Sequence, residues 1–183
     1  PITIADPGFQ GGGTTVDEGS GDILTFVEEH HPPAKISIFR SKDDGKTWQK
    51  VKATIHPDTR GNVPSMHMNE HGITLRQGKH KGRLIRPSRY YGKENDRSEW
   101  PNHYTNAIYS DDHGKTWKIV GRTPSDQVNE CAVAELEDGS LLLNMRNYDR
   151  AKRARALSRS SDGGETWSEV IRDPSLPEPI CQA

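Results

Sequence analysis

The chain has 183 residues, of which 28% are charged and 31% are hydrophobic, and its formal net charge at pH 7 is −1. A net charge this close to zero argues against nucleic-acid binding driven by bulk positive charge. Because no apolar run approaches the ~20 residues that cross a bilayer, the sequence predicts no transmembrane helix.

Short apolar runs separated by clusters of Gly, Asp, Asn and Pro predict an all-β fold. In chain order, the predicted strands are Ile23–Glu28, Lys35–Arg40, Gly72–Arg76, Arg83–Arg86, Thr105–Ser110, Ala132–Leu136, Ser140–Arg146 and Arg155–Ser160. The dipeptide Asp138-Gly139 predicts a hairpin between the sixth and seventh of these strands. The polar segment from Tyr91 to Asn102 is predicted to be a loop that is long enough to border a binding face.

One eight-residue pattern, S-x-D-x-G-x-T-W, occurs three times. In each copy we expect the Asp to accept backbone hydrogen bonds within its turn and the Gly to supply a positive φ, while Thr and Trp begin the outgoing strand. These residues are Asp43, Gly45 and Trp48, then Asp112, Gly114 and Trp117, and finally Asp162, Gly164 and Trp167. The repetition predicts a repeated structural unit, and we interpret the three aspartates as turn-formers that are not catalytic acids.

The three copies resemble the Asp-box of sialidases, also called the bacterial neuraminidase repeat. The resemblance implies an all-β fold, a six-bladed β-propeller in which each box joins the last two strands of a blade, on the rim away from the active site. A propeller needs about four to eight blades. The first residues of successive boxes lie 69 and 50 positions apart, which leaves room for about three blades. We therefore interpret residues 1–183 as a partial sialidase propeller domain that lacks the N-terminal blade and the C-terminal blades.

Further segments resemble sialidase segments in the order that the family has them. They are Gly11–Ile23, His71–Gly92, Val128–Asn147 and Leu176–Ala183. Within the third segment, the resemblance implies that Glu130 is the carboxylate that assists a tyrosine nucleophile. It also implies that Arg146 is one of three arginines that bind the carboxylate of sialic acid. Asn129 is expected to support Glu130, and Arg86 and Tyr90 lie on a strand and loop that approach the pocket in this family.

The chemistry of an acidic sugar explains these residue types. A hairpin with its tip at Asp138-Gly139 brings Glu130 and Arg146 together, although they are 16 positions apart. A guanidinium remains charged and offers a two-pronged donor that matches a carboxylate. A tyrosine nucleophile avoids the repulsion that a carboxylate nucleophile would meet, and its phenol, with an ordinary pKa near 10, needs a base such as Glu130. From the local pattern alone, both residues are simply polar residues at strand ends.

Several parts that the family requires are not identifiable in the sequence. The Arg-Ile-Pro motif of the first arginine and the acid/base aspartate are expected before Pro1, and the third arginine and the tyrosine nucleophile after Ala183. The tyrosines that do not fit the nucleophile motif are Tyr90, Tyr91, Tyr104, Tyr109 and Tyr148. Residues 1–183 alone are therefore expected to be catalytically inactive.

The resemblance implies an exo-α-sialidase that releases terminal sialic acid, with retention, from sialylated glycoproteins, glycolipids and oligosaccharides. Two alternatives stay open. One is a sialidase-fold enzyme that transfers sialic acid or hydrolyses another acidic sugar, and the other is a non-catalytic Asp-box propeller that binds glycans or proteins. No cofactor is expected, and no metal, since the His30–His31 doublet lacks partners at metal-ligand spacing. Cys131 and Cys181 could pair or both be free, with free thiols favoured. The resemblance favours a secreted, periplasmic or cell-surface protein.

Overall fold

The computed structural model describes residues 1–9, 11–31, 34–65, 70–91, 103–119, 125–149 and 151–178. Within these ranges the regular structure consists of fourteen strands. They are β1 (Gly11–Val16), β2 (Ile23–Glu28), β3 (Ile36–Ser41), β4 (Gln49–Val51), β5 (Thr54–Ile55), β6 (Ile73–Thr74), β7 (Leu84–Tyr90), β8 (Tyr104–Ser110), β9 (Thr116–Trp117), β10 (Ser125–Asp126), β11 (Val128–Glu135), β12 (Leu141–Asn147), β13 (Ala154–Ser160) and β14 (Ile171–Pro177). No helix that could cross a membrane occurs in the described ranges.

The strands form three four-stranded antiparallel sheets, which we call blades. Blade 1 has the order β1-β2-β3-β4, blade 2 the order β6-β7-β8-β10, and blade 3 the order β11-β12-β13-β14. A short parallel pair of β5 and β9 joins the segment after blade 1 to the segment that follows β8. Blades 1 and 3 are each built from four consecutive strands of the chain, and in blade 2 only the short strand β9 comes between β8 and β10, as expected for a propeller.

Blade 2 lies between the other two blades and is buried on both of its faces. Every residue of β7 and β8 is buried, since alternate side chains enter two different hydrophobic cores. One core packs Phe26 of blade 1 against Leu84 and Trp117, which belong to the segment of blade 2. The other core packs Ile85 of blade 2 against Leu143 of blade 3. Face-to-face packing of blades, as in a propeller, is therefore the main source of the buried apolar surface.

The Asp-boxes occupy equivalent places, after the third strand of each blade. In the second box, Asp112 accepts hydrogen bonds from the Ser110 hydroxyl at 2.8 Å, the Thr116 backbone N–H at 2.8 Å and the Thr116 hydroxyl at 2.6 Å. The box glycines all have positive φ, with values of 81° at Gly45, 78° at Gly114 and 88° at Gly164. The described geometry is that of a turn closed by its own aspartate.

The hydrogen bonds of the turn stabilise the ionised form of the box aspartate. Hydrogen bonds from the Thr47 hydroxyl and the Thr47 backbone N–H, with one from the Ser41 hydroxyl, lower the pKa of Asp43 to about 2. A lowered native pKa contributes stability above the ordinary pKa of 3.8, and this contribution is lost as pH falls through the native value.

The strands differ from the sequence predictions at prolines and at the last strand of blade 3. The prediction ended the fourth strand at Arg86, but β7 continues through Pro87 to Tyr90. The pairing of β7 with β6 ends at Ile85. Pro87, which has no backbone N–H, is therefore tolerated because it lies beyond that pairing. β14 was not predicted, because its two prolines and its exposed side chains lack the alternating pattern of a half-buried strand.

The expectation that Thr and Trp begin the outgoing strand was correct only for the second box, where β9 is Thr116–Trp117. After the first box the strand begins at Gln49, and after the third box it begins at Ile171. In the first box, the Trp48 indole N–H donates to the carbonyl of Gly45 at 3.0 Å. The same bond, at 3.1 Å, joins Trp117 to Gly114 in the second box, so it holds the indole over the turn in both boxes and does not decide where the strand begins.

Cys131 is a buried free thiol, and burial raises its pKa. Cys181 lies outside the described residues, as do residues 92–102 of the predicted polar loop. The predicted behaviour of that loop stays a prediction.

We predict that the second box contributes measurably to stability. Asp112→Ala leaves three donors without their acceptor, and we expect the free energy of unfolding to fall by about 1–3 kcal/mol. Lys115→Ala, an exposed neighbour in the same box, should change it by less than about 0.5 kcal/mol. Urea unfolding of the full-length protein measures both. Equal losses in the two variants would contradict a specific role of the carboxylate.

Candidate active site

The hairpin of β11 and β12 brings together the two residues that the sequence analysis placed at the centre of the site. Glu130 lies on β11 and Arg146 lies on β12, at the end of the hairpin away from its tip. The register of the pair shifts between Val128 and Cys131. Asn129 and Glu130 therefore stand together opposite Arg146, which is the arrangement of a β-bulge.

The bulge aims Glu130 away from the core. Cys131, Val133 and Met145 point into the core between blades 2 and 3. Glu130 and Arg146 project from the other face, where their side chains are 24% and 13% exposed. Arg146 Nη1 lies 3.1 Å from Glu130 Oε1 and donates a hydrogen bond to it. The predicted acid and guanidinium are therefore in direct contact and are partly open to solvent.

This pair lies at the end of blade 3 opposite its Asp-box. Leu141, at the other end of β12, pairs with both Glu135 and Ser160, and Ser160 is the first residue of the third box. Arg146 is five residues further along β12. Turn-forming aspartates and the candidate catalytic carboxylate are thus separated by the length of a strand.

Asn129 holds the bulge. Its side chain is 2% exposed, and its Oδ1 accepts a hydrogen bond at 2.6 Å from the backbone N–H of Glu130. The carbonyl oxygen of Asn129 accepts another at 2.8 Å from the hydroxyl of Thr105 on β8. Because the bulge interrupts the ladder, these bonds replace part of the pairing that the two residues would otherwise have with β12.

A buried ion pair, which the sequence analysis did not find, lies beneath the bulge. Arg89 Nε is 2.9 Å from Glu70 Oε1, and the side chains are 4% and 1% exposed. Burial raises the pKa of Glu70, while the charge of Arg89 acts in the opposite direction. The pair therefore ties Glu70 to Arg89 of β7.

His103 and Tyr148 complete the cluster around Arg146. The guanidinium carbon of Arg146 lies 4.6 Å from the centre of the Tyr148 ring. The His103 ring meets Tyr148 edge-on, with centroids 4.5 Å apart and planes at 82°. Burial, together with the positive charges of Arg89 and Arg146, lowers the pKa of His103 to about 4. The imidazole is therefore neutral at physiological pH.

Arg86 and Tyr90, which were predicted to contact substrate, are both fully buried. Arg86 donates to the carbonyl oxygens of Gly13 at 3.1 Å and Glu70 at 2.9 Å. Burial lowers the pKa of Arg86 to about 9. Tyr90 stacks on Tyr104, with ring centroids 4.8 Å apart. Both side chains are enclosed by protein, and this burial gives them packing roles. Contact of Arg86 and Tyr90 with substrate stays a prediction, which their burial does not favour.

A partly exposed carboxylate beside a guanidinium has two chemical capabilities. The carboxylate can accept a proton from a nearby hydroxyl, and the guanidinium can bind an anion through its planar fork of donors. Stacked β blades with such a pair at the end away from the turn-forming boxes define a propeller with a candidate site for an acidic ligand.

The chain belongs to the BNR repeat-like domain family, whose profile matches residues 14–180. A curated protein from Micromonospora viridifaciens, named sialidase, is 35% identical over 149 residues, covering 80% of this chain and 22% of that protein. A sialidase from Bacteroides fragilis is 34% identical over 155 residues, covering 82% of this chain and 26% of that protein. The chain thus spans about a quarter of the length of these relatives, and the predicted relationship to sialidases is confirmed.

A solved structure supports the same conclusion for the fold. The Hadza microbial sialidase Hz136 superposes with a TM-score of 0.68 at 27% identity, covering 93% of this chain and 35% of that one. The all-β propeller architecture predicted from the boxes is confirmed.

We predict that His103 remains neutral to unusually low pH. In an NMR titration of the full-length protein, its ring resonance should shift with a midpoint near pH 4, below the ordinary value of 6.5. The resonance is assigned by its absence in His103→Asn. Since the unfolded chain binds the proton more tightly, the free energy of unfolding should fall as pH drops from about 6.5 towards 4. A midpoint at or above 6.5 would contradict the burial of a neutral ring between two arginines.

Proposed function

We propose that the protein containing this chain is an exo-α-sialidase that hydrolyses terminal sialic acid from glycoconjugates with retention of configuration. The observation that carries the proposal is the contact of Glu130 with Arg146 on a bulged hairpin, at the box-free end of blade 3. The sialidase names of its relatives support the substrate class. Residues 1–183 contribute three blades of the larger propeller in this proposal.

Arg146 binds the carboxylate of the sugar in this mechanism. One nitrogen of its guanidinium, Nη1, contacts Glu130, and in this proposal the terminal N–H groups form a two-pronged bond to the substrate carboxylate. The guanidinium also lies over the Tyr148 ring, with its carbon 4.6 Å from the ring centre.

Glu130 acts as the base that activates a tyrosine. The phenol oxygen attacks the anomeric carbon as its proton passes to Glu130, and the bond to the departing sugar breaks as the oxygen of that sugar takes a proton from the acid/base aspartate expected outside residues 1–183. Water then attacks the anomeric carbon of the tyrosyl-glycoside and gives a proton to that aspartate, while the phenol takes its proton back from Glu130, and free sialic acid is released. The tyrosine is expected from the sequence outside residues 1–183, so the described residues supply the base and one carboxylate ligand.

The alternatives concern the acceptor and the sugar. A guanidinium fork recognises any carboxylated sugar, so Arg146 also suits an enzyme that acts on another acidic sugar. Transfer of sialic acid to a hydroxyl instead of water would use the same two residues. A propeller that only binds glycans needs neither a base such as Glu130 nor an arginine placed beside that base, as Arg146 is.

From the proposed function we predict that the full-length protein hydrolyses sialosides and that residues 1–183 alone do not. The full-length protein should release sialic acid from a fluorogenic sialoside, with α-sialic acid as the first product seen by NMR, whereas the isolated segment should show no turnover. An anhydro or transferred product would favour the transfer alternative. If the protein hydrolysed a uronic-acid glycoside but not the sialoside, its substrate would be another acidic sugar and not sialic acid.

The second prediction separates the roles of the two residues in the full-length protein. Arg146→Lys keeps the charge but loses the fork, so we expect KM for a sialoside to rise at least about tenfold. Glu130→Gln should instead lower kcat by about 10²-fold or more, as expected for loss of a general base. Glu137→Gln, at the hairpin tip, serves as a control that should match the wild type. Unchanged kinetics in Arg146→Lys would remove Arg146 from the site.

A further inference from the structure

The ring of Tyr148 contacts both the guanidinium of Arg146 and the ring of His103. We propose that Tyr148, braced by His103, is a positioning residue that holds the Arg146 guanidinium in the orientation needed to bind the substrate carboxylate. The proposal rests on the proposed function, in which Arg146 is a carboxylate ligand. It adds two residues to which neither the sequence motif nor the comparisons assign a role.

Arg146 needs such support because an arginine side chain has many rotamers. The contact with Glu130 restrains a single nitrogen, Nη1, at 3.1 Å. A guanidinium restrained at one nitrogen can still rotate about that bond, which would turn the fork away from a carboxylate. The Tyr148 ring, 4.6 Å from the guanidinium carbon, opposes that rotation by its contact with the planar group.

Tyr148 is itself held by the backbone around it. Its N–H donates to the carbonyl of Gln127 at 2.7 Å, which extends the pairing of the hairpin by one residue. The preceding residue, Asn147, is 1% exposed, and its side-chain amide donates at 2.6 Å to the carbonyl of Lys152. The backbone N–H of Asn147 donates to Glu178 at 2.8 Å. The turn that carries the ring is therefore fixed on both sides.

His103 braces the ring through an edge-on contact, with ring centroids 4.5 Å apart. The N–H of Gln127 donates to the carbonyl of His103 at 3.0 Å, so the residue that holds the Tyr148 backbone also holds the His103 backbone. His103 is fully buried, so its ring has no room to withdraw and Tyr148 cannot tilt towards it. A neutral imidazole is required at this place, since a charged one would repel Arg146.

The test compares two tyrosines that each contact an arginine in the full-length protein. Tyr148→Leu removes the ring at the candidate site. Tyr109→Leu removes a comparable contact near the box end of blade 2, where the guanidinium carbon of Arg83 lies 4.0 Å from the Tyr109 ring. We expect Tyr148→Leu to raise KM for a sialoside about tenfold with kcat changed less than about threefold, within the range of cation–π contacts. Tyr109→Leu should lower the melting temperature without changing KM.

Conservative variants and a double-mutant cycle distinguish positioning from direct contact. Tyr148→Phe keeps the ring and should restore the wild-type KM; a raised KM in that variant would mean that the hydroxyl contacts the substrate, and would overturn the proposal. Adding Tyr148→Leu to Arg146→Ala should leave kcat/KM within about twofold of Arg146→Ala alone, because the ring acts through the guanidinium. Independent, multiplicative losses in the double variant would also overturn it.

A structural readout separates this proposal from the proposed function. In a crystal structure of full-length Tyr148→Leu, we expect the distance from Arg146 Nη1 to Glu130 Oε1 to exceed that of the wild type, or the guanidinium to occupy several orientations. An unchanged, single orientation overturns the positioning role whatever the enzyme's activity. Absence of sialoside hydrolysis by the wild type would instead defeat the proposed function, and a displaced guanidinium would still establish that Tyr148 positions Arg146.

Discussion

The β-bulge at Asn129 and Glu130 is the constraint on which the candidate site depends. In a regular ladder, successive residues of β11 would face opposite sides, so Val128 and Glu130 would share one side and one of them would have to leave its present environment. The extra residue lets Val128 remain buried in the core while Glu130 points out beside Arg146. One inserted residue thus reconciles packing between blades with a partly exposed carboxylate.

The two ends of the blades serve different purposes. At one end, the boxes close their turns with their own Ser, Asp and Thr side chains, and this local bonding needs no partner from another blade. At the other end, residues from different strands meet, and their contacts join blade 2 to blade 3. Thr105 reaches the bulge from β8, and Glu70 forms a buried ion pair with Arg89 of β7. Local order at the first end fixes the strands whose second ends form the site.

The fold could be predicted from the sequence where the information is local. The box spacing and the Asp138-Gly139 signal identified the box turns and the central hairpin, and the hairpin placed Glu130 next to Arg146. The bulge was not predicted, because its signal is a register shift that depends on the partner strand. Nor were the contacts of Glu70 with Arg89 and of His103 with Tyr148. These residues are far apart in sequence and belong to no short motif, so only the packing of blades brings them together.

Charge balance explains why further residues are needed to bind an acidic sugar. In the described part of the chain, the arginines at this end are already matched by carboxylates: Arg89 by Glu70, Arg146 by Glu130 and Arg155 by Glu178. A substrate carboxylate that approaches Arg146 also meets the negative charge of Glu130. Binding therefore requires positive charge that these pairs do not supply. The two additional arginines implied by the resemblance would provide it, and they would let Arg146 bind substrate while Glu130 remains a base. The ion pair between Glu130 and Arg146 then serves to orient both groups, and the attraction for the sugar comes from the assembled set of arginines.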